Sequence, residues 1–106
     1  MAERNIKLVI EYKGSSFAGW QIQDGPRTVQ AEIIEAIHRV TGETVELIGA
    51  GRTDAGVHAL GQVANFHTGH TLEAERFCDA LNYHLKDDIR VRSSGEVSPG
   101  FHARFD

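Results

Sequence analysis

"IKLVIEY", residues 6–12, sets Ile6, Leu8, Ile10 and Tyr12 against Lys7, Val9 and Glu11. A period of two is the pattern of a β-strand with one face buried. The next stretch, "KGSSFAGWQIQDGPR" (13–27), is rich in Gly, Ser and Asp and holds the single Trp. It reads as a long loop of the sort that carries function. At Thr28 the period changes: Val29, Ile33, Ile34, Ile37 and Val40 share one stripe at spacings of three and four, with Thr28 as N-cap and Gly42 as stop. This is an amphipathic helix. "TVELI" (44–48) reads as a second strand. "LGQVANFHT" (60–68) reads as a third, with Gln62, Ala64 and Phe66 on one face and Val63, Asn65 and His67 on the other. Thr71 is placed to cap a second helix with the stripe Ala74, Phe77, Cys78, Leu81 and Leu85. Glu73 and Glu75 fall in its first turn, where the helix dipole favours acids. "DIRVRS" (88–93) closes as a fourth strand.

The order β-α-β-β-α-β predicts an α+β fold, a ferredoxin-like α/β sandwich of one mostly antiparallel four-stranded sheet with both helices on one face. The other face is left uncovered, and an apolar strip of a few hundred Å² is expected there, to be hidden by association. At 106 residues the chain is one small domain that buries roughly 60–70% of its unfolded surface. No apolar run approaches the ~18–20 residues of a membrane span. The segment "MAERNIKLVIEYKG" is broken by Lys7 and Glu11 and lacks a small-residue cleavage site, so a cytoplasmic location is the default. One cysteine, Cys78, excludes an internal disulfide and a cysteine-based zinc site, and its expected place is a buried helix face. The net charge of −4, with eleven scattered basic residues, argues against nonspecific coating of nucleic acid and leaves room for a local basic cleft.

Chemistry concentrates in "GAGRTDAGVHA" (49–59). An aspartate in a glycine-rich turn is ordinarily a turn former, since its side chain bonds the backbone two residues on. Arg52 shifts the balance, because a guanidinium beside Asp54 keeps the carboxylate ionised and offers a fork for a phosphate or a base edge. An ionised aspartate is a base or a nucleophile. Gly49, Gly51 and Gly56 allow positive φ and close approach of another backbone or a ligand, and glycines also occur in any tight turn. His58, His67 and His102 show no ligand spacing, so no metal site is read, and nucleophile elbows and phosphate loops are absent. In "FAGWQIQ" (17–23), Phe17 and Trp20 read as core anchors of the loop and Gln21 and Gln23 as exposed; Asn82 reads as a surface or capping residue.

Taken together, "YKGSSFAGWQIQ", "RTVQAEI", "GAGRTDAGVHALGQVANF", "ALNYHLKDDIRV" and "FHARFD" resemble the TruA family of tRNA pseudouridine synthases in order and spacing, from about Ile6 to the last residue. The resemblance implies an isomerase that detaches a uridine from its ribose at N1 and reattaches it through C5, at positions 38 to 40 of the tRNA anticodon stem-loop. It implies that Asp54 is the catalytic residue, attacking ribose C1′ or the uracil ring, or assisting glycosidic cleavage. Arg52 pairs with Asp54 and supports the flipped nucleotide. Gly51, Thr53, His58, Gln21 and Arg104 are implied as RNA-binding residues. No cofactor is implied, and the partners are tRNA and a second copy of the chain in a homodimer. Family members carry a second, comparable half after "FHAR", with a tyrosine that stacks on the target base. Residues 1–106 therefore correspond to an N-terminal half, expected to be inactive alone.

The competing reading is a noncatalytic RNA-binding module, because β-α-β-β-α-β is also the order of the RRM. An RRM stacks bases on aromatics of its central strands. The third strand offers Gln62 and Ala64 at the inner positions, which speaks against it.

Overall fold

The structure, a computed structural model, describes residues 3–51 and 58–105. Its strands are β1 (Arg4–Tyr12), β2 (Ile48–Gly49), β3 (Ala59–Thr68) and β4 (Ile89–Val97), and its helices are α1 (Val29–Thr41) and α2 (Phe77–His84). The sheet order is β2-β3-β1-β4 with every pairing antiparallel. This is the predicted ferredoxin-like arrangement.

The buried face follows from the period of β1. Ile6 and Leu8 stand opposite Phe66 and Ala64, and all four are fully buried. They meet Val29, Ile33 and Ile37 of α1 and Phe77 and Leu81 of α2 in one core. Each fully buried aliphatic or aromatic side chain contributes about 1.5–3 kcal/mol. The Phe66 and Phe77 rings lock sheet to helix edge-to-face at 5.5 Å. No helix among the described residues is long and apolar enough to cross a membrane.

The second strand is shorter than expected. Only Ile48 and Gly49 pair with β3, and side-chain bonds fix the chain on either side of residues 44–46. Glu43 accepts from the Thr68 hydroxyl and, at 3.0 Å, from the Gly69 amide, while Gln30 donates to the Leu47 carbonyl at 2.9 Å. The second helix does not start at Thr71. The Leu72 amide donates to His70 Nδ1 at 3.0 Å, and a 3-10 turn at Ala74–Arg76 leads into α2. Asn82 is not a surface or capping residue either. Its Nδ2 donates to the Val91 carbonyl and its Oδ1 accepts from the Val91 amide, both at 2.8 Å, beside the β-bulge where the β1–β4 register shifts. It replaces a missing ladder partner on an edge strand. Cys78 is half-buried on α2, and burial, aided by Asp79, pushes its thiol up.

The face away from the helices is not an apolar strip. Asn5, Lys7 and Val9 stand there opposite His67, Asn65 and Val63, so the β3 residues on this face are Val63 and Asn65 rather than Gln62 and Ala64. Residues 98–103 lie against it. The large exposed apolar residues, Ile22, Leu60, Tyr83 and Phe105, are scattered singly.

Candidate functional site

The loop after β1 is fixed by the N-terminus of α1. A helix start leaves four amides without helical partners. Here Val29 donates to the Gly19 carbonyl, Gln30 to the Trp20 carbonyl and Ala31 to Thr28 Oγ1, at 3.0 to 3.4 Å, and the Glu32 amide starts the helical ladder on the Thr28 carbonyl at 3.2 Å. The loop is thereby docked as the cap of the helix, and Gln30 Oε1 takes the Ile22 amide at 2.9 Å. Phe17 and Trp20 are buried as expected, at 5% and 2% exposure, and Gln21 and Gln23 are exposed.

Trp20 gives Gly49 its purpose. A Cβ on Gly49 would lie 2.6 Å from Cζ2 and 2.7 Å from Cε2 of the indole, distances no carbon pair tolerates. Gly49 has no positive φ. The clearance it provides is for the indole, not for a ligand as the sequence implied.

Beside this contact runs an open cleft of about 610 Å³, lined by Gln21, Gln30, Glu46, the 47–51 segment, His102 and Arg104, with Trp20 in its wall. Its described lining includes Gly51, the residue before Arg52, Thr53 and Asp54 in sequence. Those three residues, with Gly56, lie outside the described residues. Gly51 itself is exposed and its carbonyl accepts from Gln62 Nε2 at 2.7 Å.

His102 and Arg104 reach the cleft from the far end of the chain. Buried Asn65 accepts the Ala103 amide on Oδ1 at 2.8 Å and donates to Asn5 Oδ1 at 3.0 Å. Asn5 in turn donates to the Ser98 and Phe101 carbonyls at 3.0 and 2.9 Å. Lys7 Nζ lies 5.9 Å from the Phe101 ring centroid, within reach of a cation–π attraction.

Of the sequence-predicted RNA contacts, then, Gln21, Gly51 and Arg104 line one cleft, although the sequence separates them widely. His58 does not join them. It lines a second cleft of about 350 Å³ with Tyr12, Leu60, Ile89 and Arg90, and its Nδ1 accepts the Gly14 amide at 2.9 Å, which puts the neutral ring's proton on Nε2. His67 is elsewhere again, with Nε2 3.4 Å from the Pro99 carbonyl. Sequence reasoning missed Gln30, Glu46 and His102 as cleft residues. His102 and Gln30 carried a signal, through "FHAR" and "RTVQAEI"; Glu46 carried none.

The base of the loop is held by charge. Arg27 forms a bidentate pair with Asp88 at 2.5 and 2.9 Å, reaches Glu32 at 2.9 Å, and lies 4.4 Å over the Phe17 ring. The bond from Arg27 holds the Asp88 carboxyl below the usual aspartate range, against a smaller opposing effect of burial. A carboxyl whose folded pKa is depressed adds stability above its unfolded pKa, and that stability is lost as the pH falls through the folded value. The melting temperature of the chain is therefore expected to exceed that of Asp88→Asn at neutral pH, with the gap closing below about pH 4. Parallel thermal melts across that range check it, and a gap that persists undiminished at low pH refutes it.

A family model described as tRNA pseudouridine synthase matches residues 8–106. Three curated relatives, each named tRNA pseudouridine synthase A, match nearly the whole chain. The relative from Acetivibrio thermocellus is 56% identical over 102 residues, covering 96% of this chain and 42% of its own length. The relative from Rippkaea orientalis is 54% identical over 103 residues, covering 97% of this chain and 35% of its own. The relative from Caldicellulosiruptor saccharolyticus is 52% identical over 102 residues, covering 96% and 42%. The chain thus spans less than half the length of the relatives it matches.

Proposed function

This chain belongs to the tRNA pseudouridine synthase family, and from that premise we propose that residues 1–106 form the N-terminal, catalytic-aspartate half of an isomerase acting on tRNA. The reaction converts uridine to pseudouridine at positions 38 to 40 of the anticodon stem-loop. The N1–C1′ bond breaks and a C5–C1′ bond forms; the C5 hydrogen leaves as a proton and N1 gains one. Atoms and charge balance within the uridine, so no cofactor, redox partner or metal is called for. Asp54 is the catalytic residue, at C1′, on the ring, or by stabilising the charge that develops on cleavage. Arg52 pairs with it and supports the nucleotide once it is flipped from the stem, a step that costs a few kcal/mol.

The observation that supports this reading is the cleft, whose described lining brings together Gln21, Gly51 and Arg104 from three distant parts of the sequence, Gly51 being the residue before Arg52 in the chain. Gln21, Gly51 and Arg104 contact the RNA from there, as does Thr53, two residues after Gly51 in the sequence. His58 meets the RNA from the second cleft through Nε2, its Nδ1 being committed to Gly14. The enzyme works in the cytoplasm, where its tRNA is, and as a homodimer. The RRM reading finds no footing, because the middle of the open sheet face carries Lys7, Val9, Val63 and Asn65 and no aromatic platform.

Mapping pseudouridine by primer extension in cells with and without the gene tests the proposal. Loss of the modification at positions 38 to 40 in the deletion strain, restored by the wild-type gene, is the expected result. An unchanged map rejects it.

A further inference from the structure

Asn5 and Asn65, on the two central strands of the sheet, are 1% and 0% exposed. Buried amides are costly unless bonded, and apolar residues of similar shape would serve a core equally well. The polar groups of this pair go to each other and to three backbone groups, the Ser98 carbonyl, the Phe101 carbonyl and the Ala103 amide. All three lie in a stretch with no helix or strand of its own. Its internal bonds are two short turns, Phe101 to Ser98 and Phe105 to His102, and its other contacts with the sheet are the longer approach of His67 Nε2 to the Pro99 carbonyl at 3.4 Å and Lys7 against the Phe101 ring at 5.9 Å. The residue after Ala103 is Arg104, the one Lys or Arg among the described residues that line the 610 Å³ cleft.

We propose that Asn5 and Asn65 are positioning residues for RNA binding: by holding residues 98–103 against the open sheet face, they set Arg104 at the cleft as its phosphate contact. The inference rests on the reading of that cleft as an RNA site. A guanidinium is suited to the role, since it is always charged and offers paired donors to a phosphate. An arginine on an unanchored tail would lose entropy on each binding event that the anchored one has lost already.

The test is a double-mutant cycle on this chain, read by fluorescence anisotropy with a labelled anticodon stem-loop RNA over a range of salt. Arg104→Ala is expected to weaken binding about tenfold at low salt and to reduce the slope of log K against log salt by about one. Asn65→Ala should do both as well, and the double variant should bind no more weakly than Arg104→Ala alone. A purely structural role for Asn65 would lower the melting temperature and leave the salt slope unmoved. An unchanged slope in Asn65→Ala, or a loss that adds in full to that of Arg104→Ala, overturns the inference. So does an Arg104→Ala variant that binds like the unaltered chain, and in that case the RNA reading stands. Failure of the unaltered chain to bind the RNA removes that reading and the inference with it. Should Asn65→Ala not fold, Asn5→Ala takes its place in the cycle, and hydrogen exchange on the unaltered chain decides the anchoring. The Ala103 amide should then be protected like the amides of β1, and rapid exchange there overturns the inference.

Discussion

Replacing Asp54 by Asn is expected to abolish pseudouridine formation by a full-length polypeptide carrying this chain, while shifting its melting temperature little. Asparagine forms the same side-chain-to-backbone turn as aspartate, so the local conformation has no reason to change. What is lost is the negative charge, and with it both nucleophilicity and the ability to stabilise a developing oxocarbenium-like centre. Removal of a group that bonds to or stabilises the reacting centre commonly reduces turnover by more than about a thousandfold. Tritium release from tRNA labelled at uridine C5, measured under single-turnover conditions, reads the effect. Retention of a tenth of the wild-type rate would sink the assignment of Asp54. A large fall in melting temperature would mean that the acid holds the turn together.

Most of the fold was legible because local signals agreed with tertiary ones. In α1 the apolar stripe, the Thr28 cap and the Gly42 stop all point the same way; Gly42 has φ +77° and the Thr28 hydroxyl caps Ala31. In β1 the alternation of Ile6, Leu8 and Ile10 could serve only one sheet face. The errors came where side chains compete with backbone pairing. Nothing in "TVELI" says that Glu43 will bind the end of β3, or that Gln30 will claim the Leu47 carbonyl, since both partners are distant in sequence. Asn82 was misread for the same reason, its partner being an edge-strand residue beside a bulge. An apolar open face was inferred from topology alone. Asn5, Lys7 and Asn65 make it polar, and residues 98–103 lie on it.

The site was legible only as a motif. The "GRTDAGVHA" run is where the sequence concentrates candidate chemistry, and most of it lies outside the described residues; composition cannot say that Gln21 and Arg104 converge on the same cleft as Gly51. That convergence depends on the loop capping α1 and on the Asn5–Asn65 pair, neither of which has a periodic signature. Gly49 shows how a correct emphasis can carry a wrong reason: glycine is required there, but for Trp20.

This 106-residue chain by itself is expected to leave tRNA unmodified. A uridine flipped from a stem loses stacking that the protein has to replace, and each base–aromatic stack is worth about 1–3 kcal/mol. The cleft offers no such platform among its described residues. The Trp20 indole is 2% exposed and packed over Gly49, and the His102 ring is stacked on Phe105 at 4.5 Å. The exposed aromatics, Tyr83 and Phe105, do not line the cleft. The family resemblance implies a stacking tyrosine from a second half, and this chain spans 42% of the length of its Acetivibrio relative. The cost of flipping is then not offset, even with Asp54 and Arg52 both present. With the chain in excess over C5-tritiated tRNA, no release above background is expected. Release at a rate comparable to that of the full-length polypeptide would show that the chemistry needs nothing beyond these residues.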